Sequence, residues 1–137
     1  MTDTAPRSDD ADAVDEESAY DLLQRGRALM RGRHHAQAAV VLERATRLEP
    51  GKGSIIEALG RAHFISGQLE RALEVFGELL VLDPSSPYGH YAVGRCLARL
   101  GRIDEARINL RLAVALDPSS AMYASALSRV GPPPPRG

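Results

Sequence analysis

Pro50, Pro84 and Pro118 stand 34 residues apart. Gly26, Gly60 and Gly94 keep the same interval, as do Ala38, Ala72 and Ala106, and Leu48, Leu82 and Leu116. The glycines carry their neighbours with them, in Gly26-Arg27-Ala28, Gly60-Arg61-Ala62 and Gly94-Arg95-Cys96. Independent ladders of different residue types that share one period mark a supersecondary unit copied in tandem. A unit of this size cannot bury its own apolar face, so successive copies must stack.

Each copy reads as two helices. In the third, Val93, Leu97 and Leu100 recur at helical spacing, a break follows at Gly101-Arg102, and a second stripe runs Ile103, Ala106, Leu110, Ala113 and Val114. Asp117-Pro118-Ser119-Ser120 then closes the unit, because proline has no N–H to continue the helix and clashes with the preceding turn. Ser86 followed by Pro87 supplies an N-cap and a proline at the first helical position. The pattern predicts helices at 18–31, 36–48, 53–66, 69–82, 87–100 and 103–116, with a seventh over about 120–130. That last segment, with Met122, Ala126, Leu127 and Val130, is suited to cover the open end of the third unit. Hydrophobic residues make up 44% of the chain but aromatics only 4%, and Trp is absent, so the core must be Leu, Ala, Val and Ile. That composition favours closely packed helices over a β-sandwich.

These residues resemble the tetratricopeptide repeat family, whose first helix carries a large apolar residue, then Leu-Gly, and whose second carries Ala, a large residue, Ala and a closing Pro. The second unit has Ile56, Leu59-Gly60, Ala72, Phe76 and Pro84 in those places; the third has Val93-Gly94, Ala106, Leu110, Ala113 and Pro118; the first has Leu22, Gly26, Leu29, Ala38, Leu42, Ala45 and Pro50. The resemblance implies an all-α, right-handed α-solenoid of three helix-turn-helix repeats, at about 19–52, 53–86 and 87–120, with a C-terminal capping helix at 120–130. Four departures stand out: Arg25 before the glycine, Gly32 one place early and followed by Arg33-His34-His35, His63 at an aromatic or leucine position, and Leu79 in place of Ala.

The resemblance also implies that first helices line a concave groove that binds a partner's peptide or helix. By offset from the packing glycine, the groove stripe is Tyr20, Leu23, Arg27 and Arg31 in the first unit, Ser54, Glu57, Arg61 and Ile65 with Phe64 at the edge in the second, and Tyr88, Tyr91, Arg95 and Arg99 in the third. Arg27, Arg61 and Arg95 form a ladder at the repeat period, opposed only by Glu57. Guanidinium forks bind carboxylates in bidentate fashion, which makes the expected ligand an acidic protein segment; the alternative is that these arginines are merely solvated. The chaperone-tail clamp known in this family is not expected, since Leu23, Ala58, Tyr88 and Ala92 occupy its positions and Arg27 replaces an Asn.

Catalysis is not expected. His34 and His35 are adjacent, so their rings diverge and sit in no ligand set; no metal and no cofactor is predicted. Cys96 occupies the small-residue place of Ala28 and Ala62, as a packing residue would, and His63 is read as a satisfied, partly buried histidine. Gly51-Lys52-Gly53-Ser54 lacks the strand and upstream glycine of a phosphate loop. Nucleic-acid binding is disfavoured by charge: residues 1–17 hold seven acids against one base, and the remainder sixteen bases against eleven acids, a body of only +5 beside a tail of −6. That acidic tail is read as disordered, with competition for the basic groove as a further option; 131–137 is read as a Pro-rich disordered tail. No apolar run approaches the ~18 residues of a membrane span, and a bacterial, cytoplasmic adaptor that is a monomer or weak homo-oligomer is the expectation. The competing readings are an accessory or regulatory subunit of an enzyme complex, and a self-associating assembly protein. Gly60→Leu or Ala72→Arg should unfold the array cooperatively; unchanged circular dichroism and melting temperature in either would show the register to be wrong.

Overall fold

The computed structural model describes residues 17–136. The acidic segment read as a disordered tail lies outside these residues except for Glu17. Seven helices follow in order among them: α1 (Ala19–Arg31), α2 (His35–Leu48), α3 (Gly53–Ile65), α4 (Leu69–Leu82), α5 (Pro87–Arg99), α6 (Ile103–Leu116) and α7 (Ala121–Val130). Their ends lie within one residue of the sequence-based bounds, and no strand occurs among the described residues. None of these helices is long and apolar enough to cross a membrane.

Local chemistry sets the boundaries. Ser18 and Asp21 form a capping box at the start of α1. Ser86 Oγ accepts from the Gly89 N–H at 2.9 Å, with Pro87 next to it in the first turn of α5, and Ser120 Oγ accepts from the Tyr123 N–H at the start of α7. Asp83 and Asp117 each accept the N–H two residues on, folding the chain through Pro84 and Pro118 into the next unit.

Within each unit the two helices meet at the glycine. A Cβ on Gly26 would stand 2.5 Å from Leu42 Cδ2, one on Gly94 would stand 2.8 Å from Leu110 Cγ, and one on Gly60 would enter the Phe76 ring. The second helices close the contact with Ala38, Ala72 and Ala106, each fully buried. Between units, Ile55, Ala58 and Leu59 of α3 complete the core begun by α1 and α2, and Ala92, Val93 and Cys96 of α5 pack with Ala72 and Phe76 of α4. Cys96 and Ala62 are fully buried, whereas Ala28 at the same register is exposed, because none of the described residues forms a unit stacked on that side of α1.

α7 seals the far end, its Tyr123 and Ala126 packing with Tyr91, Leu110 and Ala113. Buried Arg107 fastens this cap. Its Nε donates to Gly131 O at 2.9 Å, Nη2 to Pro132 O at 3.3 Å and Nη1 to Asp104 Oδ1 at 3.0 Å. The chain leaving α7 is therefore tied to α6 through its first two carbonyls.

The first unit departs from the others at its inner turn. Gly67 and Gly101 take φ of 82° and 84°, and the equivalent residue in the first unit, Arg33, is forced to φ 66°. The left-handed region costs an L-residue about 1–2 kcal/mol. His63 also departs from expectation. It is 4% exposed, and neither ring nitrogen makes a hydrogen bond, although Glu43 Oε2 lies 3.5 Å from Nε2; a buried polar group without a hydrogen bond costs about 1–3 kcal/mol, which the carboxylate offsets only in part. Arg33→Gly should stabilise the array by about 1 kcal/mol, less the entropy that glycine gains in the unfolded chain; a lower urea midpoint would contradict the strain at this turn.

Candidate functional site

Stacking the units places α1, α3 and α5 side by side, so residues at one register form a stripe across them. Two adjoining cavities follow this stripe and share Glu57 and Arg61. The smaller, about 230 Å³, is bounded also by Arg27, Met30, Arg31, Ser54 and Ala58. The larger, about 490 Å³, lies toward α7 and is walled by Phe64, Ile65, Phe76, Tyr88, Tyr91, Ala92, Arg95 and Met122.

Most of the residues assigned to the groove from sequence meet here, with three exceptions, one of which, Arg99, borders neither cavity and stands over the Phe64 ring. Tyr20 is 67% exposed and borders neither cavity. Leu23 is 6% exposed and packs in the core with Ile55 and Ala58, because α3 lies over that side of α1; its placement on the groove surface is corrected. Tyr91 is also buried, yet its side chain still forms part of the larger cavity wall.

The arginines divide into two groups. Arg95 lies 4.8 Å from the Phe64 ring centroid and 5.7 Å from that of Tyr91, and its Nη1 donates to the Tyr91 hydroxyl at 3.2 Å. Arg99 lies 5.2 Å from the Phe64 centroid. One phenyl ring thus holds two guanidinium groups by cation–π attraction, worth about 0.5–1 kcal/mol each at exposed sites. Arg27, Arg31 and Arg61 have no such support. None of the five has an ion-pair partner among the described residues.

Four of the six aromatic residues wall the larger cavity, and a fifth, Tyr123, packs on one of them, Tyr91. Phe76 meets Tyr88 edge-on at 6.1 Å, Tyr88 meets Tyr91 at 5.8 Å, and Tyr91 meets Tyr123 at 5.0 Å. Burial pushes the Tyr88 hydroxyl well above its ordinary value, and Glu57 adds to the shift. The Tyr123 hydroxyl is raised, again chiefly by burial. Both are neutral hydroxyls over the physiological range and can donate as well as accept.

Sequence reasoning missed Met122 as a wall residue, and the signal was present. Tyr20, Ser54, Tyr88 and Met122 form one ladder of 34, and Arg27, Arg61, Arg95 and Arg129 another. The capping helix thus repeats the register of a first helix. Phe76 carries no such signal as a wall residue, because it lies on the second helix of its unit, at a packing position.

A model of the tetratricopeptide repeat matches residues 23–87 and again 57–121. The chain belongs to the tetratricopeptide repeat family. Superkiller complex protein 3 of Mus musculus is 30% identical over 109 residues, which is 80% of this chain but 7% of that protein. The first tetratricopeptide domain of Spaghetti (RPAP3), solved with the HSP90 peptide SRMEEVD, superposes with a TM-score of 0.77 at 15% identity, covering 82% of this chain and 90% of that one. The Yersinia enterocolitica type III secretion chaperone SycD, solved with a peptide of the translocator YopD, gives 0.72 at 20% identity over 80% and 88% of the two chains.

Cys96 lies fully buried in the repeat stack, where burial raises its thiol to about 12 despite the opposing pull of Arg95 and Arg99. A raised thiol value means little thiolate below that pH. Native protein at pH 8 should therefore resist a thiol-specific chromogenic reagent and react fully once denatured; equal rates in both states would contradict this burial.

Proposed function

We propose that the chain is a non-catalytic interaction scaffold whose concave groove binds an acidic segment of a partner protein. The observation that carries this reading is the set of five arginines along one face without an ion-pair partner among the described residues, two of them held in place over Phe64. A guanidinium already stacked on a ring loses less freedom when it forms a bidentate pair with a carboxylate. The aromatic wall beside Arg95 offers apolar area to the same ligand, so charge and burial act together. Glu57, where the two cavities meet, is the acidic element and disfavours an unbroken acidic run there.

The fold neighbours support a peptide in such a groove, since two of them were solved with bound peptides. One of those peptides, SRMEEVD, is itself acidic. Its recognition is not transferred here, because Leu23, Ala58, Tyr88 and Ala92 occupy the positions that a chaperone-tail clamp needs. The same proposal places the protein in the cytoplasm, where a lone buried thiol needs no disulfide partner.

A fluorescent peptide that alternates glutamates with apolar residues tests the reading by anisotropy. The affinity should fall with salt, as expected for exposed charge pairs. Replacing Arg27, Arg61 and Arg95 together by Ala should weaken binding by about tenfold or more, given roughly 1.5–3 kcal/mol per charge-assisted hydrogen bond. Undiminished binding by the triple variant would reject the acidic ligand.

A further inference from the structure

Besides Leu79, the second unit breaks its own repeat at a second place outside the groove. Where the first and third units carry Leu29 and Leu97, the second carries His63. Its neighbours change with it: Ser66 stands where the other units have Gly32 and Leu100, and Glu43 stands across the junction where the next unit has Gly77. These substitutions meet at one cavity of about 270 Å³ between α2 and the α3–α4 turn. It shares no wall residue with either groove cavity.

The cavity contains groups built for polar contact and lacking it. His63 is 4% exposed, with neither ring nitrogen hydrogen-bonded, and buried Ser66 Oγ has no partner either. Arg71, at the rim on the first turn of α4, has no ion-pair partner among the described residues. No side chain caps the start of α4, whose N-cap residue Gln68 also lines the cavity. Leucine would fill the His63 position without any unmet polar group, as it does at Leu97, which is buried in the core. A repeat that abandons its own packing residue for a buried polar one without a hydrogen bond marks a functional position.

The donors outnumber the acceptors. Arg71 brings a guanidinium fork, Gln68 an amide, Ser66 a hydroxyl and His63 an imidazole N–H, beside the positive end of the α4 dipole. The one acid at the cavity, Glu43, lies 3.5 Å from His63 Nε2, which places its charge at the histidine. Ala39 and Val40 form the apolar side. With room for about nine waters by volume, the cavity can admit a carboxylate or phosphate head with part of its carrier.

We propose that this cavity is a second binding site, for a small oxyanion held by Arg71, Ser66 and His63. Its chemistry is common to a phosphate and a carboxylate, and it is independent of the groove.

The test is nuclear magnetic resonance of the four histidine rings in the full chain, titrated with sodium phosphate in one arm and sodium acetate in the other. Ionic strength is held constant with sodium chloride. The His63 ring signals should shift and saturate in at least one arm while those of His34, His35 and His90 do not; the arm that saturates identifies the anion. Arg71→Met should weaken the response about tenfold, as expected for a lost charge-assisted contact, at an unchanged melting temperature. His63→Leu should abolish the site and raise the melting temperature, since it restores the residue of the other units. A His63 signal that stays fixed in both arms, or moves equally in Arg71→Met, would overturn the proposal. So would a His63→Leu variant less stable than the parent.

Discussion

The whole array depends on one contact made three times. Gly26, Gly60 and Gly94 let Leu42, Phe76 and Leu110 occupy space that any Cβ would claim. Interiors pack near crystal density, so a helix pair that approaches this closely has one workable register. That register fixes which face of each first helix turns toward the next unit and which is left for the groove. Moving the large residue off its glycine would displace the core and the groove stripe together, because both sit on the same helices.

The groove follows from that geometry. Stacking carries each unit to the next with little change of orientation, so residues 34 apart in sequence become neighbours in space. Arg27, Arg61 and Arg95 line up for that reason alone. Their surroundings nevertheless differ along the groove. Near α1 the arginines stand without aromatic support, while near α5 two of them are held over Phe64 beside a wall of tyrosines. The capping helix completes that wall with Met122 and supports it with Tyr123, so it contributes to the proposed binding surface as well as to the stability of the array.

Much of the fold is legible in the sequence because its signals are local. Pro50, Pro84 and Pro118, the serine caps and the turn glycines each act within a few residues, and they place the helix ends within one residue. The groove stripe is legible to the extent that offset from a glycine measures direction on a helix. It fails at Leu23, where α3 covers a side that the helical wheel alone leaves open. It also fails to give Tyr91 its burial, which comes from Tyr88 and Tyr123 on either side. The hold of Arg107 on the cap carried no signal, since its acceptors there, Gly131 and Pro132, are backbone carbonyls more than twenty residues away.

The sequence by itself determined the period, the number of units and the identity of the residue at each register, because those are properties of spacing along one chain. Only the tertiary structure decided which of these side chains have partners. It paired Arg107 with the cap, stacked Arg95 and Arg99 on Phe64, and left His63 without a hydrogen bond beside a cavity. The physical reason is that burial and pairing depend on what the neighbouring unit brings to the contact. A repeat that looks nearly uniform in sequence therefore acquires distinct sites only when its copies are stacked.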